Sequence, residues 1–266
     1  MRWFPAAPFM LRKDYMDFID HQGNCFIVYW ACLELFFFKF NYSALIFSDE
    51  HDHTLEKSSL RKVNRPVNSK SLFFENGRLG ISGYWEECDG ELKVPLYEKS
   101  ANHNVVWHCH HPNSVSKITY NGRTYIGRGY AETLNLSVKP WQLPIQELRW
   151  GRYLSEKDSI IWINWKETYP VNLLYYNGVE YKDAVFETNK IVFNKSSYQL
   201  LFPQLSIVRE GKLARLFSKM PWMKILFPVK ILRTIEVKYK AKTSFLIDNC
   251  FHSQGWSLFE IVSWKN

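Results

Sequence analysis

Tyr130 and Glu132 stand two residues apart in a run of strand-forming residues, which sends both side chains to one face of a strand. Inside an aromatic barrel the Glu132 carboxyl would lose its water and its pKa would rise. It would then serve as a general acid toward an alkene or carbonyl, with Tyr130 holding it or relaying the proton. The bland alternative is a solvated or salt-bridged glutamate beside a packing tyrosine. The stretch around the pair, residues 127–152, sets Glu132 and Arg152 among Tyr, Trp, Gly and Pro. Buried charge in such company costs several kcal/mol unless it is paired, so these polar groups are expected to be aimed at something.

His108 and His110 share a second candidate face, with Cys109 and His111 beside them. Imidazoles so placed suit proton transfer, substrate polarisation or metal binding. Zinc needs a third ligand and supporting hydrogen bonds that the spacing does not identify, so no metal is assigned. The run Asp49-Glu50-His51-Asp52-His53 reads as a solvated turn. No P-loop, GxGxxG, GxSxG or HExxH occurs, which leaves nucleotide, hydrolase and zincin chemistry without a motif, and no cofactor is expected.

Such side chains need a β frame, and strand patterns dominate: 24–35, 40–48, 72–85, 102–107, 117–130, 159–165 and 233–246 are rich in Val, Ile, Thr, Tyr, Phe and Trp. Asn76-Gly77, Asp89-Gly90, Asn121-Gly122 and Asn177-Gly178 sit between such runs and predict an antiparallel meander. Only 212–227 reads as helical, with Pro221 breaking or restarting it. Tyr15, Phe18, Phe26, Val28 and Trp30 recur as Trp150, Tyr153, Ile161, Ile163 and Trp165 at an offset of 135 residues, close to half the chain. The repeat implies two similar β-units, 1–138 and 139–266, each opening with the same strand-turn-strand and joined by the Pro-rich link 139–144. In that frame Tyr15 and Asp17 are the counterparts of Trp150 and Arg152. An Asp17–Arg152 ion pair across the junction follows, structural in its first reading and catalytic in its second.

The aromatic content of 17% supplies a sizeable core or an apolar pocket and excludes a disordered chain. The longest apolar run, 25–40, is broken by Glu34 and Lys39 and falls short of the ~20 residues a membrane-spanning helix needs. Residues 1–8 lack a signal-peptide pattern, so cytoplasmic residence is expected. Five cysteines, odd in number and without a CxxC pair, are expected to be free thiols. The net charge of +8 is concentrated: between Arg209 and Lys242 ten Lys/Arg face only Glu210 and Glu236, an excess of eight. A diffuse nucleic-acid surface is thereby disfavoured, and one basic face remains to be explained. Because Trp, Phe, Leu and Met interleave the basic residues there, 209–242 reads either as a peripheral membrane contact or as a plug at a barrel mouth.

Three runs taken in order carry a family likeness. They are Val105-Val106-Trp107-His108-Cys109-His110-His111-Pro112, Gly127-Arg128-Gly129-Tyr130-Ala131-Glu132 and Leu148-Arg149-Trp150-Gly151-Arg152. In order and rough spacing they resemble the carotenoid 1,2-hydratase (hydroxyneurosporene synthase) and AttH-like superfamily, and residues 14–30 look like that family's first-barrel strand pair. Where the family continues Asp-His-Asn-Trp after its Gly-Tyr, this chain has Ala131-Glu132-Thr133-Leu134, keeping Tyr130 and an acid two residues on. The resemblance implies an all-β protein of two lipocalin-like (calycin-like) antiparallel barrels packed together. It also implies an acid–base cyclase, isomerase or hydratase acting on a hydrophobic polyene, terpenoid or polyketide-like substrate, some relatives being Diels–Alder cyclases. Glu132, Tyr130, His108 and His110 are the expected catalytic residues, and Trp107, Trp150, Arg152, Tyr15 and Asp17 the expected substrate contacts. The alternative is a carrier of lipophilic ligands with the same fold and no chemistry.

Overall fold

At Asn121-Gly122 and Asn177-Gly178 both residues take positive φ, 49° and 81° in the first pair and 47° and 80° in the second. That is the two-residue hairpin geometry whose twist matches its flanking strands. Such reversals organise the whole chain, of which the computed structural model describes residues 9–35, 38–68, 70–100, 103–166, 170–217, 224–225 and 227–264. Two compact units result, Met1–Gln142 and Leu143–Asn266, dividing inside the Pro-rich link.

The first unit is a ten-stranded antiparallel sheet made of β1 (Phe9–Ile19), β2 (Cys25–Leu35), β3 (Phe38–Ser48), β4 (Thr54–Ser59), β5 (Val67–Asn68), β6 (Ser71–Asn76), β7 (Ile81–Glu87), β8 (Leu92–Ser100), β9 (His103–Tyr120) and β10 (Arg123–Leu136). Its order is β4-β3-β2-β1-β10-β9-β7-β6-β5, with β8 pairing the first half of β9. The Asp89-Gly90 turn therefore joins β7 to β8, which do not pair with each other; both pair with β9. Alternate residues of seven strands, Met16, Phe26, Leu45, Phe74, Trp85, Ile118 and Ala131 among them, meet in one buried cluster. The sheet must curl for them to do so, and Asn76 Nδ2 donates to Ser43 Oγ at 3.0 Å between β6 and β3, which are far apart in strand order. Inside the curl, Trp85 donates its indole N–H to the Asp17 carbonyl at 2.7 Å. Gly129 gives it room, since a Cβ there would come within 2.6 Å of both Trp85 Cδ1 and the Asp17 carbonyl.

The second unit repeats this order strand for strand. Its strands are β11 (Glu147–Leu154), β12 (Ser159–Lys166), β13 (Val171–Tyr176), β14 (Val179–Tyr181), β15 (Val185–Phe186), β16 (Lys190–Phe193), β17 (Tyr198–Leu201), β18 (Ser206–Lys212), β19 (Ile235–Ile247) and β20 (Cys250–Ser263). They run β14-β13-β12-β11-β20-β19-β17-β16-β15 with β18 on β19. Tyr153, Trp162, Leu174, Phe193, Leu200 and Phe245 fill the core. The fold is thus all-β, with two lipocalin-like units.

One expectation is corrected. The 135-residue offset holds for the first strand of each unit, where Phe18 and Tyr153 are both core residues. It fails by one residue for the second, because the turn between Ile19 and Cys25 has five residues and that between Leu154 and Ser159 has four. Phe26 and Val28 accordingly correspond to the core residues Ile160 and Trp162. Ile161, Ile163 and Trp165 face the other way, as a one-residue slip requires. The helical segment expected near 212–227 is described in part. Leu213–Phe217 is a short 3-10 turn, and the α-helix α1 (Val229–Arg233) begins only after Pro228; residues 218–223 and 226 lie outside the described set.

Candidate active site

All five residues 129–133 of β10 are buried, so this strand is covered on both faces. Ala131 belongs to the barrel core, and the period of two sends Tyr130 and Glu132 to the opposite side. The expected placement of Glu132 inside the barrel is corrected accordingly: its face is the one shared by Tyr15, Asp17 and Tyr29 through the β1 register, while Met16 and Phe18 point to the core. Burial is nevertheless nearly complete, with Glu132 5% and Tyr130 1% exposed. On the core side of β10, Trp85 fills the space that a side chain at Gly129 would occupy.

The Tyr130 hydroxyl donates to Glu132 Oε2, and the Trp107 indole N–H donates to the same oxygen at 2.6 Å. Among the described residues, no hydrogen bond reaches Oε1. Burial raises the Glu132 pKa to about 7, Asp17 pushing the same way while Tyr130, Lys13 and Trp107 pull it down. Burial likewise holds the Tyr130 phenol and the adjacent Cys109 thiol well above their ordinary values, so both keep their protons. Tyr15 donates to Asp17 Oδ2 at 3.0 Å, and its ring lies 5.4 Å from Tyr29 and 6.0 Å from Tyr130. One face thus carries a neutralisable carboxyl, a phenol, an indole and further aromatic rings, the requirements for delivering a proton to an apolar molecule and tolerating positive charge nearby.

His108 and His110 alternate with Trp107 and Cys109 along β9 and therefore stand on the other side of the sheet from Glu132. His108 Nε2 lies 2.7 Å from Glu91 Oε2, and the two imidazole rings are 3.9 Å apart. His110 Nε2 meets Thr133 Oγ1 at 2.8 Å, and Thr133 in turn donates to Asp14 Oδ1 at 2.6 Å. Arg65 grips Asp14 through Nε at 2.7 Å and Nη2 at 3.0 Å. Burial lowers the His110 pKa to about 4, with His108 adding to the shift, so its ring is neutral at pH 7. Glu91, His108 and His110 bring one ligand atom each within 4.8 Å of one another and could hold a cation.

The architecture is similar to that of kievitone hydratase. The structure of that enzyme from Nectria haematococca matches with a TM-score of 0.54 and 10% identity over 95% of this chain and 88% of that one. CghA with Sch210972 matches with a TM-score of 0.56 and 9% identity over 97% and 89%. A putative AttH (NE1406) from Nitrosomonas europaea gives 0.49 and 9% over 100% and 97%. At these identities the likeness is one of fold. No protein-family profile matches the chain, and no curated protein matches it in sequence.

The remaining expected residues belong to the second unit. Trp150 and Arg152 share the β11 face turned away from its core; Arg152 is 1% exposed and its Nη1 donates to the Trp256 carbonyl at 2.8 Å. The basic segment is partly internal: Arg209 and Lys238 are engaged with Glu236, Lys238 also with Glu260, and Lys240 is buried. In the 49–53 turn Asp49 accepts the backbone N–H groups of His51 and His53, each at 2.9 Å. Lys13, Asp14, Arg65, Thr133 and Glu91 escape the sequence reading. The β1–β10 pairing that sets Tyr15 opposite Glu132 also sets Asp14 opposite Thr133, so that register is the signal for two of them.

Proposed function

We propose that the protein is an acid–base enzyme, a hydratase, cyclase or isomerase, that protonates a hydrophobic polyene, terpenoid or polyketide-like substrate from Glu132. The observation that carries this reading is the buried Glu132 carboxyl, raised to about 7 and held by Tyr130 and Trp107 on one oxygen. A general acid works best with a pKa near the working pH and contributes roughly 10²–10⁴-fold. Oε1, which accepts no hydrogen bond from the described residues, is where the proton would reside and leave. Transfer to an alkene carbon makes a C–H bond and leaves a carbocation. Water addition followed by proton loss gives a hydrated product; attack by a second alkene followed by proton loss gives a ring; simple proton loss gives an isomer. The carboxylate left behind is held by the two donors on Oε2, and the Trp107 and Tyr15 rings lie on the same face to favour the cation. Likeness in fold to kievitone hydratase supports the class of reaction.

The reading extends to a cytoplasmic protein that meets its lipophilic substrate at a membrane surface. Ile225 is 87% and Val229 59% exposed beside Lys224, Lys230 and Arg233, an apolar tip with a basic collar. No described helix is long and apolar enough to cross a membrane.

Glu132→Gln keeps the shape and hydrogen-bonding capacity while removing the acid. That variant, offered an apolar extract, is expected to retain a compound that the wild type converts to one of equal mass or one heavier by a water. Retention of the same unconverted compound by both proteins would leave a carrier instead.

A further inference from the structure

We infer that Glu91, His108 and His110 form a binding site for a divalent metal of the zinc type, with three protein ligands and a fourth position open to water or a small ligand. His108 and His110 are two apart on β9 and share a face. In the β8–β9 register Lys93 pairs with His108, and continuing that register by two residues brings Glu91, just ahead of β8, opposite His110. The ligand atoms already lie within 4.8 Å of one another. Metal–ligand bonds of about 2 Å call for a modest further approach, which the exposed Glu91 side chain is free to make.

The hydrogen bonding behind His110 sets the site apart from a surface ion pair. The Thr133 hydroxyl has one proton and gives it to Asp14 Oδ1, so toward His110 it accepts, and Nε2 is the protonated nitrogen. Nδ1 then holds the lone pair, and the ring is fixed by a Thr133–Asp14–Arg65 chain. Metal-binding histidines are oriented and made more basic in this way by outer carboxylates. In the His53–Asp49 pair, by contrast, Asp49 Oδ1 accepts the backbone N–H groups of its own turn. Two imidazoles and a carboxylate suit zinc, and cobalt(II) as its spectroscopic substitute.

The site is independent of Glu132, which lies across the sheet, so its test needs no substrate. Full-length protein freed of metal with a chelator is titrated with zinc by calorimetry and with cobalt(II) by visible absorption. The expected result is one zinc per chain and the intense absorption of a tetrahedral cobalt site. Glu91→Gln, a surface change that leaves folding intact, and His108→Ala are each expected to weaken zinc at least 10-fold. Thr133→Val is expected to weaken it roughly 10- to 100-fold through lost orientation of His110, while His53→Ala leaves it unchanged. Zinc binding that is absent, or equal in the wild type, Glu91→Gln and His108→Ala, would overturn the proposal and leave an ordinary Glu–His hydrogen bond.

Discussion

The Tyr130 hydroxyl and the Trp107 N–H both favour the Glu132 carboxylate, and burial overcomes them, leaving the carboxyl near 7. Removing either donor should therefore raise the pKa further. A hydrogen bond to a charged group contributes about 1.5–3 kcal/mol, so Tyr130→Phe or Trp107→Phe is expected to move the titration up by about 1–2 units. The protonated carboxyl stretch in difference infrared spectra reads this directly, and Glu132→Gln identifies the band by abolishing it. The same shift links folding to pH. Between the ordinary value of 4.5 and about 7 the unfolded chain gives up the Glu132 proton and the folded chain keeps it, so stability from this group is present at acid pH and lost as pH rises. The loss amounts to about 3 kcal/mol. His110 works oppositely: with its folded pKa near 4 against an ordinary 6.5, its contribution is lost as pH falls through that interval. Urea unfolding is expected to show Glu132→Gln gaining about 3 kcal/mol on the wild type between pH 4.5 and 7.5; a constant difference would contradict the assignment.

At the scale of elements, β10 is where packing and chemistry meet. Gly129→Ala would thrust a methyl toward Ser116 Oγ, the Asp17 carbonyl and Trp85, and is expected to cost about 1–3 kcal/mol by urea unfolding. A neutral substitution there would mean that the Trp85 contact is not tight. The hairpins were legible because Asn-Gly turns carry their own geometry. The spacing of Tyr130 and Glu132 likewise told that they share a face. Which face could not be read, because a strand buried on both sides loses the polar–apolar alternation that would orient it. The repeat was visible in its first strand and misplaced in its second, since one deleted turn residue inverts every later side chain while leaving composition unchanged. Glu91 was invisible as a partner of His108 because strand pairing, not spacing, brings them together. Of the helical segment expected over 212–227, Leu213–Phe217 forms a 3-10 turn, and Pro228 precedes the regular turns of α1.

For the whole molecule, the concentration of positive charge overstates the basic surface. Lys238 and Lys240 are buried on β19 and Arg209 is half-buried on β18, which leaves Lys212, Arg215, Arg233 and Lys242 among the exposed bases. Sedimentation with anionic vesicles is expected to fall as salt shortens the Debye length to ~8 Å at physiological ionic strength, and to fall again in Ile225→Glu; binding indifferent to both would contradict membrane docking. The proton itself offers the most direct test of the enzyme. When the compound retained by Glu132→Gln is incubated with wild-type protein in deuterated water, the expected product carries one new carbon-bound deuterium. The Glu132→Gln protein is expected to form it roughly 10²-fold more slowly or worse. Equal deuterium incorporation by both proteins, or conversion without any carbon-bound deuterium, would contradict proton delivery by Glu132.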